Sequence, residues 1–314
     1  MNIYLIDEEI REVDLGDINF NSDLNYWFDI TPDELENLNE KFFNFENTSI
    51  LECKSTRQLA KVDFYDNYTF LVLNSLKYGS GIVTADEFNI FLGTKYIVTV
   101  SKKKVKMISE LKKEIKNYKG SVFFSKDKSP SKMLYYLLDK LISNDYKIIN
   151  NLENVMDTLE IHIMKNPNKQ FLNALLHLRH QVHTLRKCIS PLRYIGDNLL
   201  CNENNIIETE HLKKFYRINS KIDKLMFSVE GLVQYMILVR EAFEAEISNK
   251  TNELIKLFTI FSMFFSPLYL ITGIYGMNFG IPECKWGHGY YYAISLMIVV
   301  SIILFIFFKK RKWL

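Results

Sequence analysis

The sequence predicts an α+β domain that continues into a long helical stalk and ends in two membrane-spanning helices. Three observations carry this. The first ~120 residues mix β-branched and aromatic runs with helix-start signals. From Ser129 onward, apolar residues recur at helical spacing. Near the C-terminus charge vanishes twice: no Asp, Glu, Lys, Arg or His occurs from Leu257 to Pro282, or from Gly289 to Phe308. A chain of 314 residues has room for such a division.

Residues 1–125 form the predicted α/β domain. "YTFLVLNSLKY" (68–78) and "FNIFLGTKYIVTV" (88–100) read as strands of a mostly antiparallel or mixed sheet. "TPDE" (31–34) starts a helix, with Thr31 as N-cap, Pro32 at the first position and Glu34 closing a capping box. Lys102 to Tyr118 reads as a basic amphipathic helix. The formal charge of +2 hides an asymmetry, since residues 1–50 hold 13 acids against Arg11 and Lys41. Such a face stays solvated or gathers cations, and it repels nucleic acid.

Residues 126–207 are predicted to be a helical hairpin. Leu134, Leu137, Leu138, Leu141 and Ile142 begin an apolar stripe that runs until Asn166-Pro167 stops the helix. A second helix covers about 169–195, and "NENN" (202–205) is a turn. The stalk, 208–254, has no Gly-Pro break, and Gly231 is its only glycine before Gly273. One helix therefore runs from 208 through the first span, about 65 residues or on the order of 100 Å. A helix that long calls for neighbours, by coiled-coil-like packing or oligomerisation.

The spans are 255–275 and 289–309, each about the 20 residues that cross a bilayer. An outward loop, 276–288, joins them, and 310–314 is a basic tail. Lys309, Lys310, Arg311 and Lys312 mark the side of the tail as cytoplasmic by the positive-inside rule. Two spans place both termini there, in a cell membrane. "MNIYLIDEEI" lacks a basic region followed by an apolar stretch, so no cleaved leader is expected.

Several chemistries find no support. Gly93-Thr94-Lys95 lacks the spacing of a phosphate loop. Cys53, Cys188, Cys201 and Cys284 have no metal-ligand spacing, and three of them fall in the reducing compartment. His177, His180 and His183 share helical faces but find no further ligand, so they read as exposed helix histidines. No nucleophile–base set stands out, and the chain is not read as an enzyme. No organic cofactor is implied.

"YGMNFGIPE", placed after an apolar helix and before a second span, resembles the CorA family of magnesium channels. The resemblance covers "SNKTNELIKLFTIFSMFFSPLYLITGIYGMNF" (248–279), Pro282-Glu283 and the closing "KKRKWL". Upstream, "MLYYLLDKLISNDY" and "LRKCISPLR" are similar to the family's helical region. The resemblance implies a homopentameric funnel in the lipid bilayer that conducts divalent cations, with Gly276, Met277 and Asn278 as its selectivity filter. Mg²⁺ holds its waters tightly, so a mouth that reads the hydrated ion needs oxygen dipoles facing those waters. The Asn278 amide supplies one, repeated into a ring by symmetry. Gly273 and Gly276 clear space for helix approach, while Gly276 and Gly280 are expected to let the backbone turn out of the helix.

In the family's register Asn252, Ile255, Phe258, Ser262, Ser266 and Tyr269 line the pore, with Ile255 and Phe258 as an apolar constriction that blocks ions by dewetting. Tyr269 stands where the family often has a smaller Thr. Pro267 lies mid-span, where neighbours satisfy the freed carbonyl. Glu283 in the outward loop is a candidate for attracting cations. The family's cytoplasmic Mg²⁺ sensing implies a regulatory ion; Arg217 stands at the position matched to a sensing Asp, and Asp223, Glu230, Glu241 and Glu244 remain as candidate sensing acids. The rival readings are transport of Zn²⁺, Co²⁺ or Ni²⁺ on the same fold, and a membrane-anchored oligomeric scaffold that moves no ion. The "YGMNF" and "PE" context with "KKRKWL" favours magnesium.

Overall fold

The computed structural model describes residues 1–7, 10–20, 22–55, 58–117, 128–166, 168–278 and 280–311. Glu8, Glu9, Tyr118, Pro167, Phe279 and the tail residues Lys312, Trp313 and Leu314 lie outside the described residues. The chain forms two bodies, one of residues 1–162 with 168–240, the other of 163–167 with 241–314.

The first body is built on a seven-stranded sheet in the order β2-β1-β3-β7-β6-β5-β4. The strands are β1 Asn2–Ile6, β2 Ile10–Glu12, β3 Asn25–Ile30, β4 Lys61–Phe64, β5 Thr69–Gly79, β6 Ile82–Leu92 and β7 Tyr96–Val100. All pairs are antiparallel except β3 with β7, which run parallel from Tyr26↔Tyr96 to Ile30↔Val100. The sheet is thus mixed. The stretch 88–100, expected as one strand, is two: Gly93 donates its N–H to the Tyr96 carbonyl at 2.9 Å and turns the chain between β6 and β7. A Cβ at Gly93 would fall 2.4 Å from the Tyr96 ring, so a larger residue there would have to displace that ring. Between β5 and β6 the tight turn is Ser80-Gly81, with φ of 52° and 78° at its two residues, as a two-residue hairpin requires.

Alternation along β3 decides the layers. Phe28 and Ile30 join Val98, Val100, Phe70 and Phe91 under α1 (Pro32–Leu38) and α2 (Asn47–Lys54). Trp27 and Asp29 point to the other face, where α3 (Lys106–Asn117) lays Lys112 over the Trp27 ring at 5.3 Å. The predicted capping box is present: Glu34 N–H donates to Thr31 Oγ1 and Thr31 N–H to Glu34 Oε2.

Helices α4 (Pro130–Lys165), α5 (Lys169–Cys201) and α6 (Thr209–Tyr275) follow. α5 runs past its expected end near 195, carrying Pro191 inside it. In α6, Phe215, Ile218, Ile222, Leu225, Val229 and Leu232 are buried at alternating spacings of three and four, the seam of a coiled-coil-like contact. α5 repeats the pattern with Leu178, Val182, Leu185, Ile189 and Leu192. Side chains tie this bundle to the sheet: Gln181 Oε1 accepts from Val83 N–H at 2.6 Å, and Asn144 Nδ2 donates to the Leu76 carbonyl at 2.7 Å. The turn between α5 and α6 uses Asn202 and Asn205 in left-handed conformation.

In the second body, α6 continues unbroken through Pro267 to Tyr275, and α7 (Gly289–Lys310) returns after a short 3-10 turn, Pro282–Lys285. Both helices are long and apolar enough to cross a membrane, and their most apolar stretches are almost wholly uncovered by the protein itself.

Candidate functional site

The GMN stretch sits at the end of α6. The last turn closes with Gly276 N–H donating to the Thr272 carbonyl at 2.9 Å, then tightens as Met277 N–H reaches the Ile274 carbonyl at 3.2 Å. Asn278 follows with its side chain exposed. Neither Gly276 nor Gly280 takes a left-handed φ; among the described residues Gly81 is the one glycine that does. The expectation that glycine freedom turns the chain out of the helix is therefore corrected: the tightened last turn makes the exit. At Gly276 an added Cβ would meet the Thr272 carbonyl oxygen at 3.1 Å, whereas Gly273 borders open space.

Upstream, the residues matched to the pore share one side of α6. At about 100° per residue, Asn252, Ile255, Phe258, Ser262, Ser266 and Tyr269 fall within an arc of about 120°. All six are exposed, Phe258 to 67% and Tyr269 to 79%. Of the partly covered residues of the same stretch, Phe264, Leu268 and Ile271 lie roughly opposite at that periodicity, while Thr259 falls within the seam. There, Phe264 and Leu268 share a cleft with Ile294, Met297, Ile298 and Ser301 of α7. The seam is the side that α7 leaves bare. Serines at 262 and 266 add hydroxyls between the apolar Ile255 and Phe258 and the ring of Tyr269.

Glu283 is half-buried in the 3-10 turn, where its carbonyl accepts from Trp286 N–H at 3.2 Å. Gly289 packs so tightly behind it that a Cβ would come within 2.2 Å of that oxygen. The aromatic set beside it was passed over in the sequence: Trp286, Tyr290, Tyr291 and Tyr292 are exposed, with Trp286 and Tyr292 edge to face at 6.1 Å. The signal was "WGHGYYY" against an apolar run, the pattern of a membrane-interface belt.

Of the candidate sensing acids, Asp223 faces Arg193 at 3.7 Å across exposed surface. Glu230, Glu241 and Glu244 are exposed on α6, as is Arg217. The structure does not gather these four acids into one cluster, and no group of three or more metal-ligating side chains occurs among the described residues. His177, His180 and His183 are exposed.

The family model described as "CorA-like Mg2+ transporter protein" matches residues 22–310. The cobalt/magnesium transport protein CorA of Thermotoga maritima is 27% identical over 98% of this chain and 90% of its own length. That of Methanocaldococcus jannaschii is 22% identical over 98% and 97%. The complete structure of the CorA magnesium transporter from M. jannaschii superposes with a TM-score of 0.85 at 21% identity, covering 100% of this chain and 99% of that one. The ZntB cytoplasmic domain from Vibrio parahaemolyticus covers 79% of this chain and 98% of its own, with a TM-score of 0.66 at 11% identity.

Proposed function

This chain belongs to the CorA-like Mg²⁺ transporter family, and from that premise we propose that five copies form a pore importing hydrated Mg²⁺ down the membrane potential. The observation that carries the reading is the exposed seam of α6, which presents Ile255, Phe258 and two serines on the side away from α7 and leads to the exposed Asn278 just beyond the helix. Five such seams around an axis enclose a lumen. Residues 1–254 then lie in the cytoplasm with both termini, 255–275 and 289–309 span the membrane, and the aromatic belt at 286–292 sits at the outer interface.

The Asn278 amides form the outermost ring. Each carbonyl oxygen accepts from a water of the hexahydrate, so the ion is read by its shell without being stripped. A carboxylate ring would hold a dication too strongly for release, which is why a neutral amide suits the position. Phe258 and Ile255 make the gate, dry when narrow and conducting when wetted. Moving one charge through 100 mV releases about 2.3 kcal/mol, so a dication gains roughly twice that and needs no other fuel. Glu283 raises the local cation concentration at the mouth. Regulation through Asp223, Glu230, Glu241 and Glu244 is weaker than in the family or moved, given Arg217. Limited proteolysis with and without millimolar Mg²⁺ tests that, and strong protection by the ion would overturn it.

The decisive test is uptake into proteoliposomes that carry a Mg²⁺-sensitive dye under an inside-negative potential, wild type beside Asn278→Ala. Loss of at least tenfold in flux in the variant is expected. Equal flux from both would remove Asn278 as the filter, and no flux from folded wild type would favour the scaffold reading. Competition between Mg²⁺ and Zn²⁺ in the same assay separates the ions.

A further inference from the structure

β3 and β7 are the parallel pair of the sheet, and the chain leaves their carboxyl ends toward opposite faces. After Ile30 it enters α1 over the Phe28 face; after Val100 it passes through Ser101–Val105 into α3 over the Trp27 face. Diverging exits from neighbouring parallel strands open a crevice, and open α/β sheets hold ligands in such crevices. Here the crevice is a cavity of about 420 Å³, within the range of small-molecule sites.

Its charge is unbalanced. Lys102, Lys103, Lys104, Lys112 and Lys113 line it against Asp29 and Glu34. Lys112 is spent on Asp29. Lys102 donates to the Lys54 carbonyl at 2.5 Å, capping the end of α2. Glu34 is held by the Met1 amino group at 2.7 Å and by Thr31 N–H at 2.8 Å. Lys103, Lys104 and Lys113 form no ion pair among the described residues, yet all three border one cavity. Thr31 accepts from Glu34 N–H through Oγ1 and keeps its own proton to donate. Ser101 adds a second hydroxyl at the rim. Among the described residues no aromatic ring lines the cavity to stack a base.

We propose that this crevice binds a small polyphosphate-bearing metabolite by its phosphates. Lys103, Lys104 and Lys113 neutralise the charge, and Thr31 and Ser101 donate to the oxygens. Lysines bind phosphate as point charges, and three of them on one concave surface match an anion carrying more than one phosphate. The 13 acids of residues 1–50 disfavour a long polyanion, so a nucleic acid strand is not the ligand. This site lies in the α/β layer and stands independently of the pore reading.

The test uses the full chain in detergent, stripped of divalent ions with EDTA, titrated calorimetrically with inorganic tripolyphosphate, pyrophosphate and sulfate at matched ionic strength. Saturable binding of one anion per subunit is expected, strongest for tripolyphosphate and weakest for sulfate. The Lys103→Ala/Lys104→Ala/Lys113→Ala variant should bind at least tenfold more weakly, and Lys213→Ala/Lys224→Ala, on the exposed side of α6, should bind as wild type does. All five lysines are exposed, so an unchanged melting temperature without ligand verifies folding. Absence of saturable binding to wild type overturns the proposal, as does equal weakening in both variants.

Discussion

The two bodies of this chain use apolar residues in opposite ways. In the first, Trp27, Phe28, Phe70, Phe88 and Phe91 are fully buried, and the apolar stripes of α5 and α6 point at partners within the chain. In the second, Phe258, Phe261, Tyr269 and Leu270 leave most of their surface uncovered. A folded chain rarely exposes so much apolar surface without a partner for it. Hydrophobicity thus encodes the fold in one body and the surroundings, lipid or other copies, in the other.

That contrast is easiest to break at two phenylalanines. Phe91 stacks on Phe45 at 4.2 Å and lies 4.7 Å from Phe70, with no exposed surface. Phe91→Ala should cost about 3–5 kcal/mol, seen as a much lower midpoint in thermal or urea unfolding of the full chain. Phe258→Ala, at a position 67% exposed, should leave that transition within about 0.5 kcal/mol while raising leak through the gate proposed there. Equal destabilisation by both would mean that the seam packs within its own chain, and the pore reading would lose its main support.

A smaller effect sharpens the picture of the first body. Asp145 lies in α4 with almost no exposure; its Oδ2 has no hydrogen-bond partner, and Asn144 Nδ2 is 3.5 Å from Oδ1. Burial holds its carboxyl well above the ordinary carboxylate range, against a weak opposing hydrogen bond from Asn144. The folded state therefore keeps a proton that the unfolded chain releases near its ordinary value of 3.8. Stability is fully present below that pH and falls as pH rises toward the folded value. Asp145→Asn removes the titration, so the variant should melt higher than wild type at pH 7 and gain less at pH 4. A gain equal at both pH values would mean that Asp145 is not the group that titrates.

How much of this was legible follows from where each signal lives. The spans could be read because a bilayer demands length and freedom from charge in one continuous stretch. The capping box of α1 and the unbroken α6 could be read because both are local or periodic. Pairing between strands is neither. Residues 88–100 are apolar or β-forming almost throughout, so only Gly93 marked the turn that divides them, and nothing local announced that β3 runs parallel to β7. The family was legible from the GMN stretch by resemblance, but the bare side of α6 required knowing which side meets α7. The candidate acids were legible as acids on one helix, and so was their spread: at 1.5 Å per residue Asp223 and Glu244 lie about 30 Å apart along it.

The smallest predicted effect tests whether local rules hold at the edge of the first body. Thr31 caps α1 with a 3.5 Å contact from Glu34 N–H, while Glu34 returns a 2.8 Å contact to Thr31 N–H. Partial burial pushes the Glu34 carboxyl up, but the bonds from the Met1 amino group and from Thr31 outweigh it and leave the group below its ordinary 4.5. That contribution is present above 4.5 and lost as pH falls through the lower folded value. Thr31→Ala keeps the backbone half of the box and removes the hydroxyl half, so a loss of about 1 kcal/mol is expected. Thr31→Ser should restore it, because serine caps as well as threonine does. Failure of serine to rescue would mean that the threonine methyl, and not the hydroxyl, holds the start of α1 in place.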